Sequence, residues 1–450
     1  MITYQDLLEH SSSEQEKIAF VRTCIEAHKR SEFYKIAKDA YEYNCHRNVT
    51  INNYQKLLYK VTGEAIPDNF SANFKMACRH FHRFLVQEVQ YLLGNGVTWG
   101  DDATEEKLGT AKYPFDNQLQ DLAKKARWGG VAFGFFNLDH IDVFSILEFI
   151  PLYDEDDGSM KAGIRFWQID ETKPLRATLY ELDGYTEYKW GLEGAEIVNE
   201  KRKYILKLRT SEADGTEIYD GENYVGFPIV PLWANPEHQS ALVGLREQID
   251  CYDLIKSGFA NTVDEASFVY WTINNAGGMT DIDLAKFVER LKTLHAATVQ
   301  DDGARAESHQ QEPPYASREA LLDRLDKDLY RDAMALDTEN LASGAVTATQ
   351  IRAAYEPLNA KTDEFEYCIL DFIQGILALA GIEDEATFTR STIVNVQEEV
   401  QVLIQSAQYL TDDYMTEKIL GLLGDGDKAE QILLERDEQD FNRINLEDEI

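Results

Sequence analysis

The segment Arg79-His80-Phe81-His82-Arg83 places two histidines, common metal ligands, two positions apart. The surrounding sequence reads as helix, where residues two apart face away from each other, so the plain reading is two half-exposed histidines. Asp154-Glu155-Asp156-Asp157-Gly158 offers carboxylates to a divalent cation, but an acidic turn is ordinarily solvated. Gly94-Asn95-Gly96-Val97-Thr98-Trp99 approximates the dinucleotide fingerprint G-x-G-x-x-G. It has Trp99 at the last glycine position and follows a helix instead of a strand, so it does not carry that reading. No P-loop, no H-E-x-x-H and no G-x-S-x-G is found in the chain. Five cysteines (Cys24, Cys45, Cys78, Cys251, Cys368) lie far apart with no C-x-x-C pair, as expected of buried thiols in a reducing cytoplasm. With 80 carboxylates, no acid–base pair stands out. No catalytic residue, metal ligand or cofactor is assigned.

The charge balance is more informative. There are 44 Lys and Arg against 80 Asp and Glu, a formal net charge of −36. A protein that clamps nucleic acid gains affinity by releasing counterions to Lys and Arg, so this chain is not such a clamp. Anionic membranes are disfavoured for the same reason. A wall that must not stick to DNA fits this balance. The longest apolar stretch, Cys368 to Ile382, carries Asp371 and Gln374 and is too short and too polar to span a bilayer. No basic-then-apolar signal opens the chain, so a soluble protein, cytoplasmic when made, is expected. The 450 residues suit two to four domains.

Residues 1–60 read as helix-rich. A helix over 70–93 is expected from Phe70, Phe74, Ala77, Phe81, Phe84, Leu85, Val89 and Leu92, and a short one over 115–127. Alternating runs between 162 and 230, broken by Gly and Asp, read as an antiparallel sheet. Leu242, Leu245, Ile249, Tyr252, Ile255, Phe259 and Val263 then mark a helix of about 25 residues, roughly 37 Å long. Residues 267–312 read as an insertion: a strand at 267–273, a helix at 281–294, a strand at 296–299 and a polar loop. Pro313-Pro314 opens a second long helix with Leu321, Leu322, Leu325, Leu329 and Leu336 on one face. Thr347-Ala348-Thr349-Gln350 has the capping-box form and restarts a helix that runs to about Ala380, with Pro357 predicting a kink. The last 60 residues read as helices with turns at Gly421 and Gly424-Asp425-Gly426, ending in an acidic tail.

Several segments together resemble the portal proteins of tailed bacteriophages, in the branch typical of siphophages of Gram-positive hosts. Pro67-Asp68-Asn69-Phe70, leading to Val89-Gln90-Tyr91-Leu92-Leu93-Gly94-Asn95-Gly96-Val97-Thr98-Trp99, is similar to that family's helix exit, with Gly96 where proline is usual. Ala126-Arg127-Trp128-Gly129-Gly130-Val131-Ala132-Phe133-Gly134 resembles its glycine-rich lead into the first sheet. Gly226-Phe227-Pro228-Ile229-Val230-Pro231-Leu232-Trp233-Ala234-Asn235 and Leu245 to Asn261, with Gln248-Ile249-Asp250-Cys251-Tyr252-Asp253 and Ser257, resemble two later family motifs. The likeness covers most of 60–395; residues 1–60 and 400–450 match poorly.

The resemblance implies a helix-rich α+β fold with a portal-type wing, a two-helix stem, a small α/β clip, a kinked long helix and a helical crown. Carried over, the wing is 1–239, the stem 240–266 and 313–337, the clip 267–312, the channel loop 338–346, the returning helix 347–392 and the crown 393–450. It implies a homo-oligomeric ring, usually of twelve subunits, at one capsid vertex of the virion, assembled in the host cytoplasm. Its partners would be the terminase large subunit, a head-completion or adaptor protein, the scaffold and the major capsid protein. Double-stranded DNA would pass through without sequence-specific binding, and no membrane would be involved. Stem packing is expected from Leu242, Leu245, Ile249, Tyr252, Phe259, Leu321, Leu325 and Leu329. The channel loop would use Thr338, Asn340, Leu341, Ser343, Gly344, Val346 and Thr347. Arg324, Lys327 and Arg331 share a stripe and are the candidate basic ring of the channel, weighed against plain salt bridges to Asp323, Asp328 or Asp332. The alternatives are another head–tail connector or assembly protein and, after it, a metal-dependent hydrolase.

Overall fold

The computed structural model describes residues 2–59, 63–69, 71–101, 103–191, 194–210, 217–266, 270–274, 280, 282, 305–309, 315–339, 347–391, 396–423 and 432–433. It is a mixed α+β chain, about half helical. Two compact units emerge: Met1–Arg30, Phe84–Gln239 and Met334–Ile450 form the first, Ser31–Arg83 and Ser240–Ala333 the second.

The first unit holds an antiparallel five-stranded sheet in the order Gly194–Arg202, Gly184–Gly191, Leu175–Glu181, Met160–Trp167, Phe149–Tyr153. Along Gly184–Gly191 burial alternates: Thr186, Tyr188 and Trp190 point inward, while Tyr185, Glu187 and Lys189 are partly exposed. That is the period-two pattern of a sheet with one wet face. A three-stranded sheet, Ile229–Trp233, Val131–Phe136 and Ile141–Ser145, is different. Its central strand is a continuous apolar run, Val-Ala-Phe-Gly-Phe-Phe, buried on nearly every residue. Helix Phe115–Gly129 and the long helix Ala348–Ala380 both pack on this sheet. Their shared core includes Leu119, Leu122, Phe136, Phe365, Phe372 and Ile376. The long helix comes very close: a Cβ on Gly134 would lie 2.6 Å from Phe372 Cζ, and one on Gly375 would lie 2.8 Å from Val230 Cγ1. Any larger residue at either position would force the facing side chain to shift.

Sequence rules set the ends of the long helix. Thr347 accepts from the Gln350 amide while the Gln350 side chain accepts from the Thr347 amide, and Gly381 at φ 68° closes the C-terminus. The helix runs for 33 residues with Pro357 inside it. Beyond it, Ala386–Phe388 pairs with Val97–Trp99, and Arg390 ion-pairs with Asp363 and with Glu366 at 2.7 Å. Helices Val396–Ser406 and Asp412–Leu423 follow. Gly421 therefore lies inside a helix and not at the expected turn; Gly424 to Gly426 lie outside the described residues.

The second unit contains helices Glu32–Asn44, Val49–Asn53, Arg246–Ala266 and Tyr315–Asp332. It also has two antiparallel strand pairs, Leu57–Tyr59 with Ala65–Pro67 and Tyr270–Asn274 with Arg305–His309. Three expectations need correction here. The helix expected from Phe70 begins at His80, because the amides of Phe74, Met76 and Cys78 donate to side chains elsewhere in the unit. The helix expected from Leu242 begins at Arg246; Leu242 and Leu245 are buried in the turn before it. The polar loop expected after residue 299 contains the strand Arg305–His309, whose sequence Arg-Ala-Glu-Ser-His has no apolar alternation to reveal it. The strand expected at 296–299 lies outside the described residues, as does nearly all of the expected helix 281–294.

Candidate functional site

Helices Arg246–Ala266 and Tyr315–Asp332 pack against each other. Phe259 meets Tyr315 edge to face with ring centroids 5.5 Å apart, and the Arg318 guanidinium donates to Thr262 Oγ1 at 2.7 Å. At their other ends Gln248 donates to Asp332, so the pair runs antiparallel. Between them in sequence, the ladder from Tyr270↔His309 to Asn274↔Arg305 carries the chain out and back.

One face of helix Arg246–Ala266 is polar, buried at Asp253, Ser257 and Asn261 and half-buried at Asp250. Asp250 accepts from Tyr43 Oη and from Thr50 Oγ1 at 2.7 Å. Asp253, 0% exposed, accepts from Asn48 Nδ2 at 2.8 Å and from the Cys78 amide at 2.9 Å. Burial raises the Asp253 pKa, partly offset by these donors. It likewise pushes the Tyr43 phenol up to about 12, with Asp250 adding to the shift.

Beside this face lies a set that the sequence reading missed. Cys78 Sγ is 2.9 Å from His80 Nδ1, and His80 Nε2 is 2.7 Å from Asp326 Oδ1. Cysteine hydrolases use this order of groups, but they need a thiolate. Here burial, and then the charge of Asp253, push the Cys78 thiol up to about 12. At neutral pH it stays protonated, so the set is a structural link. The separation Cys78 to His80 is visible in sequence; Asp326 is brought in only by the tertiary fold. His82, the other histidine of the pair, meets Asn44 Oδ1 at 2.9 Å. Among the described residues, no group of three or more His, Cys, Asp or Glu is arranged to hold a metal.

Of the expected stem residues, Leu242, Leu245, Ile249 and Leu329 are buried. Tyr252, Phe259 and Leu325 are half-buried, and Leu321 is 46% exposed. Arg324 and Arg331 both reach Asp328, at 2.8 and 3.0 Å, while Lys327 is exposed. Such exposed pairs are worth about 0–1 kcal/mol each. Thr338 sits in a short helical stretch and Thr347 is the helix cap. Asn340, Leu341, Ser343, Gly344 and Val346 lie outside the described residues.

In the first unit, a buried charge cluster ties three helices together. Glu88, 1% exposed, meets Arg127 Nη2 at 2.8 Å and Lys361 Nζ at 2.9 Å. Arg127 also donates to Ala234 O at 2.6 Å and lies 5.0 Å from the Phe365 ring centroid. Burial pushes the Glu88 carboxyl up, but Arg127 and Lys361 outweigh it and hold its pKa below the ordinary value. Lys361 is lowered by burial, against the pull of Glu88. Among the described residues, no helix is long and apolar enough to cross a membrane.

Comparison with known proteins places this architecture. Residues 23–440 match the family described as phage portal protein, SPP1 Gp6-like. The portal protein of Clostridium phage phiCD119 is 24% identical over 358 residues, 73% of this chain and 77% of that protein. That of Bacillus phage SPP1 is 24% identical over 390 residues, 78% of this chain and 73% of that one. Among solved structures, a chain from the virion of a native gene transfer agent particle superimposes with TM-score 0.46 at 10% identity, covering 76% of this chain and 89% of that one. One from the neck of an empty gene transfer agent particle gives 0.47 at 10%, covering 77% and 90%. The chain belongs to the SPP1 Gp6-like phage portal protein family and is a structural, non-enzymatic component of the virion, the head–tail connector at the capsid vertex.

Proposed function

We propose that twelve copies form the ring, with the wing at 1–239, the stem at 240–266 and 313–337, the clip at 267–312, the channel loop at 338–346, the returning helix at 347–392 and the crown at 393–450. The observation that carries this reading is the antiparallel helix pair with a strand ladder between its members in sequence, the order stem, clip, stem. Residues 31–83, inside the wing by this division, cluster with the stem helices. The clip would meet the terminase large subunit and later an adaptor, and the outer surface the scaffold and major capsid protein. Double-stranded DNA would pass a lumen that repels phosphate overall, consistent with the net charge of −36. Electron microscopy of the purified protein should show rings with a central hole and a mass of about 0.6 MDa, twelve times 51.4 kDa. Monomers or dimers at micromolar concentration would overturn the ring.

Arg324, Lys327 and Arg331 are proposed to line the channel as a weakly attractive basic ring. Replacing all three with alanine should leave rings intact and change packaging yield several-fold. Asp328 already holds two of the three, so unchanged yield would assign them to salt bridging alone.

A further inference from the structure

Residues 74–78 of the second unit are held in an unusual way. The segment 71–79 lies outside every helix and strand. The Phe74 amide donates to Asn261 Oδ1 at 2.7 Å, Met76 to Ser257 Oγ at 3.0 Å and Cys78 to Asp253 Oδ1 at 2.9 Å. The donors are alternate residues of the segment, and the acceptors are every fourth residue of one helix, taken in reverse order.

Helix and extended-chain geometry explain the match. Four helical residues rise about 6.0 Å. Two residues of extended chain rise about 6.4–6.8 Å. The mismatch stays under about 1 Å per step, so a helix with an acceptor at i, i+4 and i+8 serves the segment as a strand edge would. The acceptors are side chains, whose own flexibility absorbs the residual offset. At Phe74 and Met76 the arrangement recognises backbone and not side chains, which are 53% and 39% exposed; at Cys78 the thiol is engaged as well, by His80 and Asp253. Asp253, Ser257 and Asn261 are themselves buried, and each accepts from one of these amides, Asp253 from Asn48 as well.

We infer that Asp253, Ser257 and Asn261 are positioning residues, a side-chain ladder that sets the register of residues 74–78 so that this strap rides with helix Arg246–Ala266 as one body. Any displacement of that helix is then passed directly to the strap. The inference rests on the geometry of one unit and not on the ring, and its test is read on amides, so it stands or falls apart from the proposed assembly.

Residue-resolved hydrogen exchange on the full-length protein tests it. The amides of Phe74, Met76 and Cys78 should exchange at least tenfold more slowly than those of Lys75 and Ala77. Ser257→Ala should speed Met76 at least tenfold, with smaller changes at Phe74 and Cys78, and Ser257→Thr should restore protection. Uniform exchange across 73–79, or unchanged protection of Met76 in the alanine variant, overturns the ladder. So does equal acceleration throughout helix Arg246–Ala266, which would mean that Ser257 only supports the fold.

Discussion

Glu88→Ala is expected to destabilise the first unit by about 3–5 kcal/mol, the usual cost of stranding a buried charge by removing its partner. Here two cations are stranded, Arg127 and Lys361, both within 3 Å of the carboxylate. Lys361→Met should cost no more than about 1 kcal/mol, because it leaves a one-to-one Glu88–Arg127 pair and removes a cation whose burial already disfavours its charge. The pH dependence has a definite sign. The Glu88 pKa is lower in the folded chain than in the unfolded one, so its stabilisation is fully present above the unfolded value and is lost as pH falls through the folded value. The wild type should therefore lose stability in the acid range more steeply than Glu88→Ala. Urea unfolding followed by circular dichroism checks both points. A loss below about 1 kcal/mol for Glu88→Ala would show that the cluster is solvated in solution.

Leu321→Asp is expected to abolish ring formation while leaving the subunit folded. Leu321 is 46% exposed on helix Tyr315–Asp332, so within one subunit the change should lie near 0.5 kcal/mol in magnitude, the usual range for surface positions. In the proposed ring that face meets a neighbour, and an unpaired carboxylate there has no partner. Leu329→Asp gives the contrast: Leu329 is 0% exposed within the subunit, so a carboxylate there should cost more than about 4 kcal/mol and unfold the stem pair. Light scattering reads assembly, and far-ultraviolet circular dichroism reads the fold. Full-mass rings from Leu321→Asp would place this side chain toward solvent or the lumen, not at the subunit interface.

Local patterns were legible where one rule governed the backbone. The capping box at Thr347, the helix end near Ala380, the alternating runs within 162–230 and the short helix at 115–127 are set by residues near in sequence. The order of two long helices around an insertion could be read as well, because their stripes are long, although the first begins at Arg246 and not at Leu242. The segment 71–79 was misread for a physical reason: Phe70, Phe74, Ala77 and Phe81 have helical spacing, but the backbone of 74–78 finds its acceptors on a helix about 180 residues away. Periodicity reports where side chains would lie on a helix, and it says nothing about competing backbone partners.

The sequence by itself determined the class of molecule: acidic, without a nucleophile or metal motif, with two long apolar-striped helices and family-like segments in order. Tertiary structure alone decided what its buried charges do. Glu88 falls on the stripe of Phe84, Leu85 and Leu92, Arg127 on that of Leu119 and Ala123, and Lys361 beside Leu358 and Phe365. A charge on an apolar face is a signal visible in one dimension, but its meaning depends on whether opposite charges converge on it. Residues 88, 127 and 361 meet only because their three helices share one core, and the low polarity of that core makes the meeting decisive.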